Sequence, residues 1–183
     1  MIVCLPVLSC IRNDIPYPEI EAVITRIDVD GALSVNIDND VRDVLVTFGE
    51  TVDLRKANIL DVVFNDDAVT SSDPIVGTKD LSSPLGVTLK AYENEYEWTI
   101  KAEQPVERYF TISGQVGETV IDARNRRVVT RVSSSAGLHN LDVSSMKLGP
   151  EEISTYSPAV SDIRDFEEPV TVTVSYRDVS EAW

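Results

Sequence analysis

Apolar and polar residues alternate along most of this chain, a pattern that is typical of half-buried β-strands. The β-branched residues Val, Ile and Thr dominate these runs and suit a pleated surface. No stretch keeps a helical period over three turns. We therefore predict an all-β chain. The clearest runs are Val44–Phe48, Tyr96–Ile100, Phe110–Ile112 and Val170–Tyr176.

Polar turn signals separate these runs, for example Asp30-Gly31 and Asn39-Asp40. Asp, Asn and Gly favour turns because their side chains or backbones tolerate the required geometry. Only single helical turns are expected, with Asp53 and Asn140 as matched caps.

The chain carries one pattern twice. Residues 80–98 and 165–183 align without a gap at a separation of 85 positions, and each segment ends in Trp. Upstream, residues 35–39 align with 121–125 at 86, and residues 53–54 align with 140–141 at 87. A repeat of this length has the size of a small sandwich domain. We predict two tandem antiparallel Ig-like β-sandwiches, over residues 20–104 and 105–183.

The two copies are predicted to end differently. In the first copy we place a hairpin turn at residues 93–95 and the last strand at 96–102. In the second copy we place the turn at residues 178–181, so that Trp183 would open the matching strand. The second sandwich would then lack its last strand, of about five residues. An exposed sheet edge is a liability, so we expect the native polypeptide to continue past Trp183.

The first ten residues are predicted to be a lipoprotein signal remnant. Residues 7–10, which end in Ser9-Cys10, resemble a bacterial lipobox. The apolar stretch is too short to span a bilayer and lacks a basic n-region, so we expect the true start to lie upstream. Residues 11–19 contain two prolines and are predicted to form a tether. Cleavage would remove Cys4 and leave Cys10 as the lipid attachment site; the alternative is an ordinary first strand with a buried Cys.

The charge of the chain excludes two classes of partner. Lys and Arg number 16 against 31 Asp and Glu, which gives a net charge of −15. Nucleic acid and anionic lipid surfaces both attract basic proteins, so we expect neither to bind through electrostatics.

These features together resemble surface lipoproteins of Bacteroidetes-type bacteria. The residues that carry the resemblance are Cys10 to Pro18, and the Pro-strand-turn-Trp-strand hairpin from Pro84 to Ile100, which is similar to bacterial Ig-like modules. The start resembles that of lipoproteins which end in a domain assigned to carbohydrate metabolism. The resemblance implies an Ig-like fold, outer-membrane anchorage and a setting in glycan uptake. It implies no catalytic residue in these modules, and a carbohydrate domain of that kind is not in this sequence.

Candidate chemistry is sparse. Four acidic residues are calcium candidates because calcium takes six to eight oxygen ligands. Their spacing does not match an EF-hand, the second copy does not repeat them well, and turn formation is the alternative. The four residues are Asp28, Asp30, Asp38 and Asp40.

The remaining chemical candidates have structural explanations. His139 is the single histidine, so this chain alone cannot build a Cys/His zinc set, and we predict a surface residue. Trp98 and Trp183 hold equivalent positions in the repeat, which favours a core role over a sugar-stacking platform. No nucleophile elbow occurs, and nothing selects a pair of carboxylates among the many acids. We predict no catalytic residue and no cofactor.

The leading hypothesis is a non-catalytic, membrane-tethered spacer or interaction module of a larger cell-envelope lipoprotein. Its partners would be the outer membrane, through the lipid, and a glycan or another envelope protein. One alternative is a carbohydrate-binding module. A second alternative is part of a carbohydrate-active enzyme whose catalytic domain lies beyond Trp183.

Lipidation is testable by metabolic labelling with a palmitate analogue. Labelling should disappear in Cys10→Ala, because the lipidated thiol is lost, and should persist in the matched control Cys4→Ala. Labelling that survives Cys10→Ala would contradict the lipobox.

Overall fold

The computed structural model describes residues 20–183, and the lipobox, Cys10 and the tether lie outside the described residues. The prediction of an all-β chain built from β-sandwich sheets is confirmed. No helix of residues 20–183 is long and apolar enough to cross a membrane. The strands are β1 (Ile24–Val29), β2 (Ala32–Asp38), β3 (Asp43–Phe48), β4 (Ala57–Phe64), β5 (Val69–Ser71), β6 (Gly77–Lys79), β7 (Leu85–Ala91), β8 (Asn94–Glu103), β9 (Tyr109–Ile112), β10 (Val120–Asp122), β11 (Arg127–Val129), β12 (Val143–Lys147), β13 (Thr155–Ser157), β14 (Thr173–Tyr176) and β15 (Val179–Ala182). Short 3-10 helices span Leu54–Lys56 and Val160–Asp162.

The first module consists of two sheets, β1-β4-β6 and β2-β3-β8-β7-β5. Its core lies between them, because alternate residues of both sheets point inward. Val44, Val46 and Phe48 of β3 are fully buried, as the alternating pattern predicts. Trp98 is 1% exposed, and its Nε1 donates to the Ala22 carbonyl at 3.0 Å. The core role predicted for Trp98 is confirmed.

Strand β8 joins the two halves of the larger sheet. Its residues 94–100 pair antiparallel with β7, and its residues 99–103 pair with β3. The pairing with β3 is parallel, so the prediction of wholly antiparallel sandwiches is wrong for this pair. A local alternating pattern reveals a strand but not its direction relative to a partner more than fifty positions away.

The second module repeats the final hairpin of the first at a separation of 85. Strands β14 and β15 pair in the same register as the matching residues of β7 and β8. Trp183 and Val172 exchange two backbone hydrogen bonds of 2.8 and 2.9 Å, at the positions of the Trp98–Val87 pair. The repeat found in the sequence is therefore also a repeat of main-chain pairing.

Both hairpin turns lie earlier than predicted. They are two-residue loops, Tyr92-Glu93 and Arg177-Asp178, whose first residues have φ of 54° and 49°. A positive φ at the first loop position is typical of tight hairpins. Tyr and Arg are unusual there, so the acidic residues that follow drew the prediction downstream. Trp183 consequently continues the β15 ladder through its pair with Val172.

In the structure, the upstream segments of the two modules correspond at a separation of 84 positions. The separation predicted from the sequence was 86. Asp38 accepts from the amides of residues 40 and 41, and Asp122 accepts from those of residues 124 and 125. Arg42 and Arg126 then both adopt a positive φ. The loops between β2 and β3 and between β10 and β11 are therefore the same structure.

The predicted caps also shift. Asp53 caps the first 3-10 helix by accepting from the Arg55 amide, as predicted. The Leu54 carbonyl accepts from Leu81, and the Leu138 carbonyl accepts from Phe166, which aligns Asp53 with Gly137. Glycine has no side chain to cap a helix, so the second module forms only a turn there. The prediction that Asn140 caps a matching helix is wrong.

The larger sheet of the second module is divided. Strands β9 and β12 match β1 and β4, but β10-β11 and β13-β14-β15 form two separate sheets. No described strand takes the place of the half of β8 that pairs with β3.

The two tryptophans provide a matched test of burial. Trp98→Ala should cost about 3–5 kcal/mol, as expected for a large core side chain. Trp183 is only half-buried, so Trp183→Ala should cost no more than about 2 kcal/mol. Urea unfolding followed by circular dichroism gives both values, and equal costs would contradict this description of the two modules.

Candidate functional site

The four calcium candidates do not meet. Asp28 and Asp30 lie before β2, whereas Asp38 and Asp40 lie at its other end. Seven strand residues span about 20 Å, far more than one ion can bridge. Within residues 20–183, no three His, Cys, Asp or Glu side chains are grouped so that they could hold a metal ion.

Two of these carboxylates have other partners. Asp28 forms an ion pair of 2.7 Å with Arg26, which also contacts Asp61. Asp38 accepts two backbone amides of its own loop, which is the turn role that the sequence left open.

His139 lies on the surface, as predicted, with its side chain 68% exposed. Its Nε2 lies 2.8 Å from Glu167, and its Nδ1 lies 3.4 Å from Asp165. The backbone amide of Glu167 and the imidazole together lower the pKa of Asp165. This exposed group has no nucleophile among its described partners.

The junction between the modules is the best-organised polar site of the described chain. It is built on residues 49–53 of the first module, here called the junction loop. Gln104, which follows β8, donates to the carbonyls of Gly49 and Val52 at 2.6 and 2.9 Å. The chain that leaves β8 toward the second module is thereby hydrogen-bonded to the junction loop.

Lys147 connects this loop to the second module. It lies at the end of β12 and is 5% exposed, the single buried charged residue among residues 20–183. Its Nζ lies 2.7 Å from Glu50 Oε1 and 3.4 Å from Glu151 Oε2. The Glu151 amide donates to Glu50 Oε2 at 3.0 Å, so both oxygens of Glu50 bind the second module.

Glu50 and Lys147 both remain charged at the junction. Burial alone would raise the pKa of Glu50, but the hydrogen bonds from Lys147 and the Glu151 amide outweigh burial and lower it. The hydrogen bond to Glu50 raises the pKa of Lys147 against the opposing effect of burial. Glu50 and Lys147 are therefore an ion pair at neutral pH.

A second set of contacts comes from the hairpin turn Arg177-Asp178. Asp178 forms an ion pair with Arg55, and Arg177 donates to the Thr51 carbonyl. The ion pair lowers the pKa of Asp178 and raises that of Arg55. The junction loop and the helix after it thus contact β12, the Glu151 turn and this hairpin.

The second module also contains an open groove of about 640 Å³. Trp183 lies at its wall, and the Arg108 guanidinium stacks over the indole at 5.4 Å. Arg108 is held by its hydrogen bond to the Leu148 carbonyl at 2.8 Å. The core role predicted for Trp183 is therefore not reproduced, because its ring faces a groove. The apolar lining includes Phe110, Ile112, Val128, Leu141, Met146 and Val172.

Sequence reasoning missed the junction. Lys147 follows two serines and a methionine and shows no local sign of burial. Its main partner, Glu50, lies 97 positions away. A correct alignment of the two modules would not have found the pair either, since the junction occurs once.

The chain matches no family model and no curated protein. Among solved structures it is similar to a protein from Bacteroides thetaiotaomicron that is described as a "putative glycoside hydrolase". The identity is 19% and the TM-score is 0.43, over 62% of this chain and 35% of that protein. At this level of similarity, neither the fold nor the activity of that protein transfers to this chain.

The junction predicts a pH-dependent contribution to stability. Because the folded pKa of Glu50 is lowered, its contribution is complete above the unfolded pKa of about 4.3 and is lost as pH falls through the folded value. Glu50→Gln should cost about 3 kcal/mol at pH 7, since it leaves Lys147 buried with a weaker partner.

The difference between Glu50→Gln and the parent chain should shrink on acidification. Glu151→Gln is the matched control, because that side chain is 68% exposed and its loss should change little. Urea unfolding at pH 7 and pH 3 measures both variants. A cost that does not depend on pH would contradict the ion pair.

Proposed function

We propose that this chain is a non-catalytic spacer and interaction module that holds two β-sandwiches in a fixed relative orientation. The observation that supports it is the contact of Glu50 with both the buried Lys147 and the Glu151 amide. In this proposal the chain is anchored by a lipid on Cys10 and belongs to a larger outer-membrane lipoprotein involved in glycan acquisition.

The argument for rigidity rests on the cost of burying charge. Domains in one chain usually move relative to each other unless their interface is large. A buried ion pair is tolerated only in good geometry with its hydrogen bonds made, and losing one partner is expensive. Reorienting the modules would separate Glu50 from Lys147, so the pair disfavours other orientations.

Carbohydrate binding is the second candidate. Sugar-binding sites need accessible aromatic faces, but Trp98 is buried and Trp183 is covered on one face by Arg108. Within residues 20–183, Tyr92 and Tyr109 are the most exposed aromatic side chains, at 48% and 43%. A catalytic role would depend on a domain outside this sequence, since no described cluster supplies a nucleophile with a base.

Rigidity can be measured by double electron–electron resonance on the full chain. Spin labels at Leu33→Cys in β2 and Val120→Cys in β10 use two exposed positions, with Cys4 and Cys10 replaced by Ala. We expect a narrow distance distribution that broadens when Glu50→Gln and Arg55→Gln are combined. The matched control is Arg26→Gln, which breaks ion pairs inside the first module only.

A broad distribution in the parent chain would contradict a fixed spacer. So would a distribution that stays narrow when the junction contacts are removed, because rigidity would then have another origin.

A glycan array separates the spacer from the carbohydrate-binding candidate. The spacer predicts no binding by the full chain. Binding that is abolished by Tyr92→Ala or Tyr109→Ala, with unchanged thermal stability, would favour carbohydrate recognition instead.

A further inference from the structure

We propose that two copies of this chain pair through two equivalent loops that carry opposite charges. The acidic loop is residues 38–43 of the first module, and the basic loop is residues 122–127 of the second. The acidic loop of each copy docks on the basic loop of the other, so the two copies are related by a two-fold axis. The proposal does not depend on the spacer function, because it concerns contacts between chains.

The two loops have the same backbone structure. Asp38 and Asp122 each accept two backbone amides at the start of the turn. Arg42 and Arg126 follow with φ of 55° and 52°. The side chains of residues 40 and 124 take no part in these hydrogen bonds. The turn therefore does not dictate the charge at those two positions.

Opposite charges nevertheless occupy equivalent positions of the two loops. At the separation of 84 positions, Asp40 corresponds to Arg124, and Asp43 corresponds to Arg127. The acidic loop contains three aspartates and one arginine, and the basic loop contains three arginines and one aspartate. Their formal charges are therefore −2 and +2. The basic loop stands out because the whole chain has a net charge of −15.

The arginine that the two loops share is neutralised within its own module. Arg42 forms an ion pair of 2.9 Å with Glu21. Its counterpart Arg126 forms an ion pair of 3.3 Å with Glu181. Neither arginine is thus the charge that distinguishes the loops.

Asp40 and Arg124 remain available to another chain. Both are exposed, and within residues 20–183 neither side chain forms a hydrogen bond or an ion pair. Asp43, by contrast, is already paired with Lys101. Asp40 and Arg124 are therefore the two charges that we expect to meet between copies.

Each loop also has an exposed apolar residue beside its free charge. Val41 follows Asp40, and Val120 lies in β10 two residues before Asp122; both valines are largely exposed. Docking that covers both valines would remove apolar surface from water, which favours association.

The charge pattern favours a second copy as the partner. Two chains of charge −15 repel each other, so they associate only where their surfaces are complementary. Each chain carries the complement of its own basic loop on the same turn. One exposed ion pair contributes little. A two-fold arrangement forms the contact twice, and the second contact then forms within the complex at a high effective concentration.

Sedimentation equilibrium of the full chain tests the proposal, under reducing conditions and at low ionic strength, where screening is weakest. We expect the parent chain to dimerise reversibly. Asp40→Arg makes both loops basic, and Arg124→Asp makes both acidic. Each change replaces attraction by repulsion at both contacts, so each should weaken dimerisation about tenfold. The double variant Asp40→Arg with Arg124→Asp should dimerise as the parent does, since its loops are again complementary.

Two controls separate this contact from the effect of net charge. An equimolar mixture of the two single variants should form a mixed dimer of parental affinity, because the basic loops of one meet the acidic loops of the other. Asp73→Arg makes the same change of charge as Asp40→Arg, at an exposed aspartate in the loop between β5 and β6. It reduces the net negative charge without touching either loop and should not weaken dimerisation.

Three results would overturn the proposal. The first is a parent chain that stays monomeric up to high concentration. The second is a double variant, or a mixture of the single variants, that associates as weakly as the single variants alone. The third is growth beyond the dimer, which is incompatible with a reciprocal two-fold pair.

Discussion

The structure depends on one main-chain constraint, which is that both edges of a sandwich strand need partners or protection. In the first module, residues 99–103 of β8 meet this need for β3 and carry Ile100 into the core. Strand β8 thereby joins the β2–β3 hairpin to β7 within one sheet. Buried backbone groups must be paired, so this strand fixes the sheet as well as the core.

No described strand of the second module forms a counterpart of that pairing. Its hairpins have the same registers and the same positive φ positions as those of the first module. Its sheet is nevertheless in two parts. Its buried apolar residues include Phe110, Ile112, Leu141, Leu148, Ile163, Val172 and Val174. The hydrogen bonds within each hairpin are therefore the same in both modules. The described strands of the second module do not join the two hairpins into one sheet.

Charged side chains connect the two modules at the junction. The turn Arg177-Asp178 is a repeated feature, and in the second module it contacts the first module through Thr51 and Arg55. No residue of the first module is a buried charged residue like Lys147. The strands and turns are thus repeated between the modules. The charged side chains that connect the modules are not repeated.

The sequence predicted the all-β class, the repeated final hairpin and the burial of Trp98, because each has a local periodic signal. It misplaced both hairpin turns, since Tyr92 and Arg177 are not typical residues for a positive φ. The sequence alignment matched Asp53 to Asn140 instead of Gly137, because it compared residue types and not backbone hydrogen bonds. The parallel β3–β8 pair and the Glu50–Lys147 contact could not be predicted, as both join residues far apart in the chain with no local mark.

The central claim is that the edge of β3 paired by β8 in the first module corresponds to an edge of β11 that has no partner strand among residues 105–183. Native-state amide hydrogen exchange tests it directly, since exchange protection reports local opening. Amides of Asp43–Thr47 that bond to β8 should exchange slowly, and their counterparts in residues 127–131 should exchange fast. Equal protection of the two segments in the monomeric chain would contradict this account.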